Sequence, residues 1–299
     1  PVSQNMVRSL FVYIQALNKG ARRPKEFDKY DVKKIGILGA GLMGAGIAYV
    51  TAKAGIEVVL IDQDQENAEK GKDYSVKLLD KALSRKKTTE EKKEKLLSLI
   101  TPTTDYGLLK GADLIVEAVF ENRDIKAEVT AKAEEQITEN AVFGSNTSTL
   151  PISGLAQNSS RPDNFIGIHY FSPVEKMPLV EIIMGEKTSQ ETLAKTMDYV
   201  QKIKKTPIVV NDSRGFYTSR VFGTYTGEGV AMLAEGIKPA LIENAGKMTG
   251  MPMAPLALAD AVALDLAWKV TTQTKKDFEA EGKDFPITPM YSIMEEMVD

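Results

Sequence analysis

The chain has 299 residues, 43% of them hydrophobic and 26% charged, with a formal net charge of −3. That length favours two domains, and so slight a charge excludes a strongly basic nucleic-acid footprint, leaving any attraction for an anionic ligand to a local cluster. There is no cysteine, which removes disulfides, thiolate nucleophiles and cysteine-held metals together; no metal site is expected. No apolar run reaches the length of a membrane span, and the N-terminus lacks the plan of a signal peptide.

In chain order, residues 5–18 place Met6, Leu10, Val12, Ile14 and Leu17 among polar positions and read as a short amphipathic helix. The charged stretch 18–31, with Gly20 and Pro24, reads as a linker, so residues 1–31 form an N-terminal helix and linker. At Lys33 the character changes. Residues 34–38 are an apolar strand, Gly39-Ala40-Gly41-Leu42-Met43-Gly44 follows, a helix runs to Ala54, and Gly55 stops it. A second strand, 56–61, ends at Asp62. This is a β-α-β unit of about the usual 30 residues.

Two helical segments, 67–86 and 89–100, follow, the second opening at Thr88 or Thr89. Strands are expected at 112–119, 141–145, 165–170, 179–184 and 207–210, with helices at 123–137 and near 190–204. After Asp212 the pattern is almost wholly helical, interrupted by Pro239, Pro252 and Pro255. The expected fold is therefore α/β: a Rossmann-like, parallel, doubly wound domain over 32–212 with a helical-hairpin insertion, then an all-α domain over 213–299.

A lone glycine fingerprint is weak, but this one follows a strand, opens a helix and has an acid at the end of the next strand. Gly39 permits the tight turn, Gly41 lets backbone approach a pyrophosphate, and Gly44 lets helix and strand pack closely, while Leu42 and Met43 open the helix whose N-terminus faces the phosphates. Asp62 can accept from ribose hydroxyls and would repel a 2′-phosphate, and no basic residue follows it directly, so NAD is favoured over NADP. FAD uses the same fingerprint and is the rival.

His169 is the one histidine in the chain, and histidine exchanges protons near neutral pH. Oxidising a hydroxyl needs such a base. Glu181 stands in the next strand among apolar neighbours, where a carboxylate needs a partner; the two would supply each other. Taken singly, a histidine is more often a packed or surface residue, and Glu181 could face solvent by strand alternation.

Several motifs together are specific: Ile37-Leu38-Gly39-Ala40-Gly41-Leu42-Met43-Gly44, Val116-Glu117-Ala118-Val119-Phe120-Glu121-Asn122, Ser145-Asn146-Thr147-Ser148, Gly167-Ile168-His169-Tyr170-Phe171-Ser172-Pro173, Gly215-Phe216-Tyr217 and Met251-Pro252-Met253-Ala254-Pro255. From Lys33 onward the chain resembles the 3-hydroxyacyl-CoA dehydrogenase family. The resemblance implies NAD-dependent oxidation of (S)-3-hydroxyacyl-CoA in fatty-acid β-oxidation, His169 as base, Glu181 as its partner and Ser148 bonding the substrate oxygen. It implies that Glu121 and Lys126 contact the nicotinamide half of NAD; on the sequence alone Ser148 is a loop serine and Lys126 a solvated helix charge. Ser219 stands where the family commonly has an oxygen-binding asparagine, and Ser172 replaces another, so both changes are expected to tune activity.

The hairpin carries Lys70, Lys72, Lys77, Lys81, Arg85, Lys86 and Lys87 interleaved with acids, a solvated face that the resemblance places near CoA. Residues 5–11 resemble the connector of multifunctional β-oxidation enzymes, and the chain stops before the stretch that closes the family's helical domain, which suggests an excised, truncated piece. The expected partners are an acyl-CoA substrate, a second copy in a homodimer and a thiolase subunit, in the cytoplasm. Competing readings are a hydroxy-acid or sugar-acid dehydrogenase on this scaffold and a catalytically silent NAD-binding module.

Overall fold

Strands that read as near-continuous apolar runs are covered on both faces, and that burial organises the first part of the chain. The computed structural model describes residues 2–262, 264–280, 282–287 and 289–298. They divide into two compact units, Pro1–Tyr217 and Thr218–Asp299.

The first unit holds eight strands: β1 (Lys34–Leu38), β2 (Glu57–Ile61), β3 (Ile100–Thr103), β4 (Leu114–Glu117), β5 (Val142–Ser145), β6 (Phe165–Tyr170), β7 (Leu179–Met184) and β8 (Thr206–Asn211). Their order in the sheet is β3-β2-β1-β4-β5-β6-β7-β8. The chain winds outward from β1 to β3, then returns to the other side of β1 at β4, leaving a crevice over the C-terminal ends of β1 and β4, where doubly wound sheets bind ligands. One core layer gathers Ile35, Ile37, Ile47, Leu60, Val116 and Ile168. The opposite layer gathers Leu38, Ile61, Ile115, Phe143 and Phe165, as strand alternation requires.

The helices of this unit are α1 (Val2–Val7), α2 (Ile14–Asn18), α3 (Leu42–Lys53), α4 (Gln65–Ser84), α5 (Glu90–Leu97), α6 (Arg123–Glu134), α7 (Ile152–Leu155) and α8 (Gln190–Lys202). A π-helical stretch, Arg8–Tyr13, joins α1 to α2. Asp64, Thr89, Asn122 and Ser189 cap α4, α5, α6 and α8 with side-chain oxygens that accept from first-turn N–H groups.

Three expectations change. The helix expected over 89–100 ends at Leu97, and Ile100–Thr103 forms the parallel edge strand β3 on β2; Pro102 is tolerated there because an edge strand leaves its N–H side unpaired. The sheet is not wholly parallel, since β6 and β7 pair antiparallel. The stretch read as a linker is fastened to α8. Buried Asp198 accepts from Arg23 Nε at 2.7 Å, Arg23 Nη2 at 2.8 Å, Lys29 Nζ at 2.8 Å and the Tyr30 N–H at 2.9 Å. The amphipathic helix before it leaves Met6, Leu10, Phe11 and Tyr13 exposed.

That knot predicts a pH-dependent contribution to stability. Burial pushes the Asp198 carboxyl up, but the hydrogen bonds from Arg23, Lys29 and Tyr30 outweigh it and hold it below its ordinary 3.8. A depressed carboxylate stabilises the fold above its unfolded pKa and loses that contribution as pH falls through the folded value. Asp198→Asn, which leaves the Arg23 charge uncompensated, is expected to cost about 3 kcal/mol at neutral pH. Urea melts should show the gap to wild type closing below about pH 4; a gap that stays constant to pH 3 would refute the assignment.

The regular elements of the second unit, among its described residues, are all helices: α9 (Thr218–Ala234), α10 (Pro239–Met248), α11 (Pro255–Ala261), α12 (Leu264–Ala280) and α13 (Pro289–Val298). Pro239 and Pro255 open helices rather than interrupt them, because the first helical position needs no N–H. Glu243 Oε1 accepts from the N–H groups of Leu256 and Ala257 at 2.9 and 3.2 Å, satisfying the start of α11 from α10.

Candidate active site

The turn after β1 is built by backbone geometry. Gly39 sits at φ +95°, where a side chain is strained, and its N–H donates to the Ile61 carbonyl at 2.8 Å. A Cβ on Gly44 would lie 1.8 Å from the Gly39 carbonyl oxygen, whereas a Cβ on Gly41 would meet nothing within 4 Å. Helix α3 then begins at exposed Leu42 with no side-chain cap, so its first N–H groups and positive dipole end face outward. Asp62 Oδ2 accepts from the Ala40 N–H at 2.6 Å and Oδ1 from the Gln63 N–H at 2.8 Å. Its carboxylate is thus locked at the end of β2, with lone pairs remaining for ribose hydroxyls. These residues fit NAD: room over Gly41, free N–H groups for the pyrophosphate, and an acid where a 2′-phosphate would be repelled.

Across the crevice, β4 ends in Glu117, paired in register with Leu38 of β1 and Ser145 of β5. Glu117 is 1% and Lys126 3% exposed. Lys126 Nζ reaches Glu117 Oε1 at 2.8 Å and Oε2 at 3.1 Å, and Glu121 Oε2 at 3.2 Å. Ser145 Oγ donates to Glu117 Oε2 at 2.6 Å and the Val119 N–H to Oε1 at 2.8 Å. Glu121 Oε1 accepts from Thr147 Oγ1 at 2.5 Å, and from the N–H groups of Ser148 and Thr149 at 3.1 and 3.2 Å. Burial pushes the Glu121 carboxyl up, but Lys126 and the bonds from Thr147 and Thr149 outweigh it and hold it below its ordinary value.

Two strands further on, the antiparallel register sets His169 directly opposite Glu181. His169 Nδ1 lies 2.7 Å from Glu181 Oε2. Glu181 is fully buried, and its Oε1 accepts from the Tyr217 N–H at 3.1 Å. The rings of Phe171 and Phe216 flank the imidazole, with centroids at 4.6 and 5.9 Å. With Nδ1 committed to the carboxylate, Nε2 is the ring atom left to take a proton. Asn146 Oδ1 accepts from the Tyr170 N–H at 2.9 Å, tying the 145–149 turn to the end of β6.

Residues 34–213 match the NAD binding domain of 3-hydroxyacyl-CoA dehydrogenase, and residues 215–299 match the C-terminal domain of that family. The chain belongs to the 3-hydroxyacyl-CoA dehydrogenase family. It is 41% identical over 276 residues to the fatty acid oxidation complex subunit alpha of Shewanella amazonensis, a match covering 91% of this chain and 38% of that protein. The chain therefore spans about two fifths of that relative's length. The (S)-3-hydroxybutyryl-CoA dehydrogenase from Ralstonia eutropha superposes with a TM-score of 0.82 at 36% identity, covering 90% of this chain and 94% of that one. The dehydrogenase part of multifunctional enzyme 1 from C. elegans gives 0.62 at 27% identity, covering 89% and 63%.

In this member of the dehydrogenase family, Gly39, Gly41, Leu42, Met43, Gly44 and Asp62 gather at one end of the crevice, and Glu121, Lys126 and Ser148 at the other. Ser148 is exposed and its N–H is held by Glu121. Ser219 stands in the first turn of α9, in the second unit. On the hairpin, Lys70 pairs with Glu66, and Lys93 with Asp80 and Glu90, the solvated face that the interleaved charges suggest. Lys126 is not the solvated charge its helix pattern suggests: it is buried between two carboxylates. Sequence reasoning missed Glu117 and Asn146. For Glu117 the signal was present, an acid closing an apolar strand that had to find a partner. Among the described residues no helix is long and apolar enough to cross a membrane.

Proposed function

We propose that the chain oxidises (S)-3-hydroxyacyl-CoA to 3-oxoacyl-CoA, or runs the reverse, as the dehydrogenase segment of a longer cytoplasmic β-oxidation polypeptide. The observation that carries this reading is the His169–Glu181 pair on the same sheet as the dinucleotide cradle. Bound NAD supplies the hydride acceptor. His169 takes the hydroxyl proton at Nε2 during oxidation and returns it during reduction. Glu181 fixes the tautomer by accepting from Nδ1–H and stabilises the imidazolium that forms. Ser148 donates its hydroxyl to the substrate oxygen. The partners in this reading are a second copy of the chain and a thiolase subunit that consumes the 3-oxoacyl product.

The test follows nicotinamide absorbance with NADH and acetoacetyl-CoA, set against free acetoacetate. A kcat/KM about a hundredfold or more higher for the thioester is expected, because binding energy from the distant CoA handle is realised at the reacting carbonyl. Equal rates would move the reading to a hydroxy-acid dehydrogenase. NADH binding without turnover on either compound would make the chain a silent cofactor-binding module.

A further inference from the structure

A buried ion pair is seldom a stability device, since two apolar side chains of similar volume serve as well or better. The cluster at the end of β4 goes further than a pair. Glu117 and Lys126 are almost fully buried, and Glu121 adds a second carboxylate at 3.2 Å from the same ammonium. Two carboxylates around one ammonium leave a net charge of −1, and the half-exposed Glu121 carboxylate places that excess at the open side of the cluster, where a cation would be favoured.

The sheet says which part of a dinucleotide comes there. The start of α3, over the crevice between β1 and β4, would hold the phosphates. Asp62, at the end of β2, would hold the ribose on one side. The residues left for the other half of the cofactor would be those at the ends of β4 and β5, whose last residues are Glu117 and Ser145. His169 follows on β6, one strand beyond, where the base for hydride transfer has to stand.

We propose that Glu117 is a positioning residue which, with Lys126 and Glu121, sets a net negative charge beneath the nicotinamide and so favours its cationic oxidised form over its neutral reduced form. This rests on the NAD-dependent reading given above. Glu117 acts through two contacts. It holds the Lys126 ammonium at 2.8 and 3.1 Å, and it accepts from Ser145 Oγ, whose oxygen in turn accepts from the Thr147 N–H at 3.3 Å. Charge and turn geometry are therefore set by the same carboxylate.

The experiment measures Kd for NAD+ by calorimetry and for NADH by fluorescence, on the wild-type chain, Glu117→Gln and the double variant Glu117→Gln/Lys126→Met. Glu117→Gln removes one negative charge, and the ratio Kd(NAD+)/Kd(NADH) should rise about tenfold, the size of a single partly screened charge within a short distance. The double variant leaves Glu121 alone and restores the net charge to −1, so its ratio should return to within about twofold of wild type. Any hydrogen bond that Lys126 makes to the cofactor weakens both redox forms together and cancels in the ratio. A Glu117→Gln ratio unchanged from wild type overturns the proposal, as does a double variant that shifts as far as the single one. Should Glu117→Gln not fold, Lys126→Met, which leaves both carboxylates and a net charge of −2, should lower the ratio about tenfold, and a ratio unchanged from wild type overturns the proposal. If the wild-type chain binds neither form, the NAD-dependent reading fails and this inference falls with it.

Discussion

Replacing His169 with alanine is expected to lower kcat by about 10³- to 10⁴-fold while NADH still binds with a Kd within about twofold of wild type. The separation follows from where the residue stands. His169 is on β6, and the cofactor cradle is built by the turn after β1 and the end of β2, so removing the ring takes away the proton acceptor and leaves the cradle alone. Glu181→Gln should lose nearly as much. Its amide can donate to Nδ1 as readily as it can accept, which admits the tautomer that carries the proton on Nε2 and cannot take another. The glutamine also leaves the Tyr217 N–H, now bonded to Glu181 Oε1 at 3.1 Å, with a neutral acceptor. Steady-state rates with NADH and acetoacetyl-CoA, together with NADH titration of each variant, decide the matter. A His169→Ala enzyme retaining more than a tenth of wild-type kcat would remove the histidine from the chemistry.

The two strands bearing this pair were legible to the residue, because runs such as Leu179-Val180-Glu181-Ile182-Ile183 combine branched apolar residues with polar stops on either side. Their antiparallel pairing was not legible: a strand's burial pattern is the same whichever way its neighbour runs, and only the short 171–178 connection hints at a direct return. Strand β3 was hidden for a different reason. Its four residues include Pro102 and two threonines, and the leucines before it continue the helical period of α5, so the local signal favoured helix until the edge of β2 claimed the segment. Lys126 shows the limit at the site itself. A charge on a helix is read as solvated unless its partner is in view, and Glu117 lies nine residues earlier, across a turn. Asp198 and Arg23, 175 residues apart, lay beyond any local pattern, and a charged stretch with glycine and proline was accordingly read as a linker.

Gly44→Ala and Gly41→Ala should lose the cofactor for opposite reasons, and the contrast tests how the cradle is built. At Gly44 the new methyl would stand 1.8 Å from the Gly39 carbonyl oxygen and 2.9 Å from its carbon. Backbone cannot yield there cheaply: Gly39 is held at φ +95° with its N–H on the Ile61 carbonyl, and any Cβ at that residue would itself strike the Ala118 carbonyl at 2.6 Å. Helix α3 must therefore back away from the turn, which carries the uncapped N–H groups off the phosphates. Kd for NADH is expected to rise about a hundredfold, the size of one or two lost hydrogen bonds to a charged phosphate, with a loss of about 1–3 kcal/mol of stability from overpacking. At Gly41 a methyl meets nothing within 4 Å, so the fold should melt as wild type does. The methyl nevertheless occupies the space through which a pyrophosphate approaches the backbone, and NADH binding should fall with no change in melting temperature. Thermal melts and NADH titrations on the two variants give four numbers. If Gly41→Ala binds NADH as wild type does, the phosphates do not pass over that glycine, and the cradle has been placed on the wrong side of the turn.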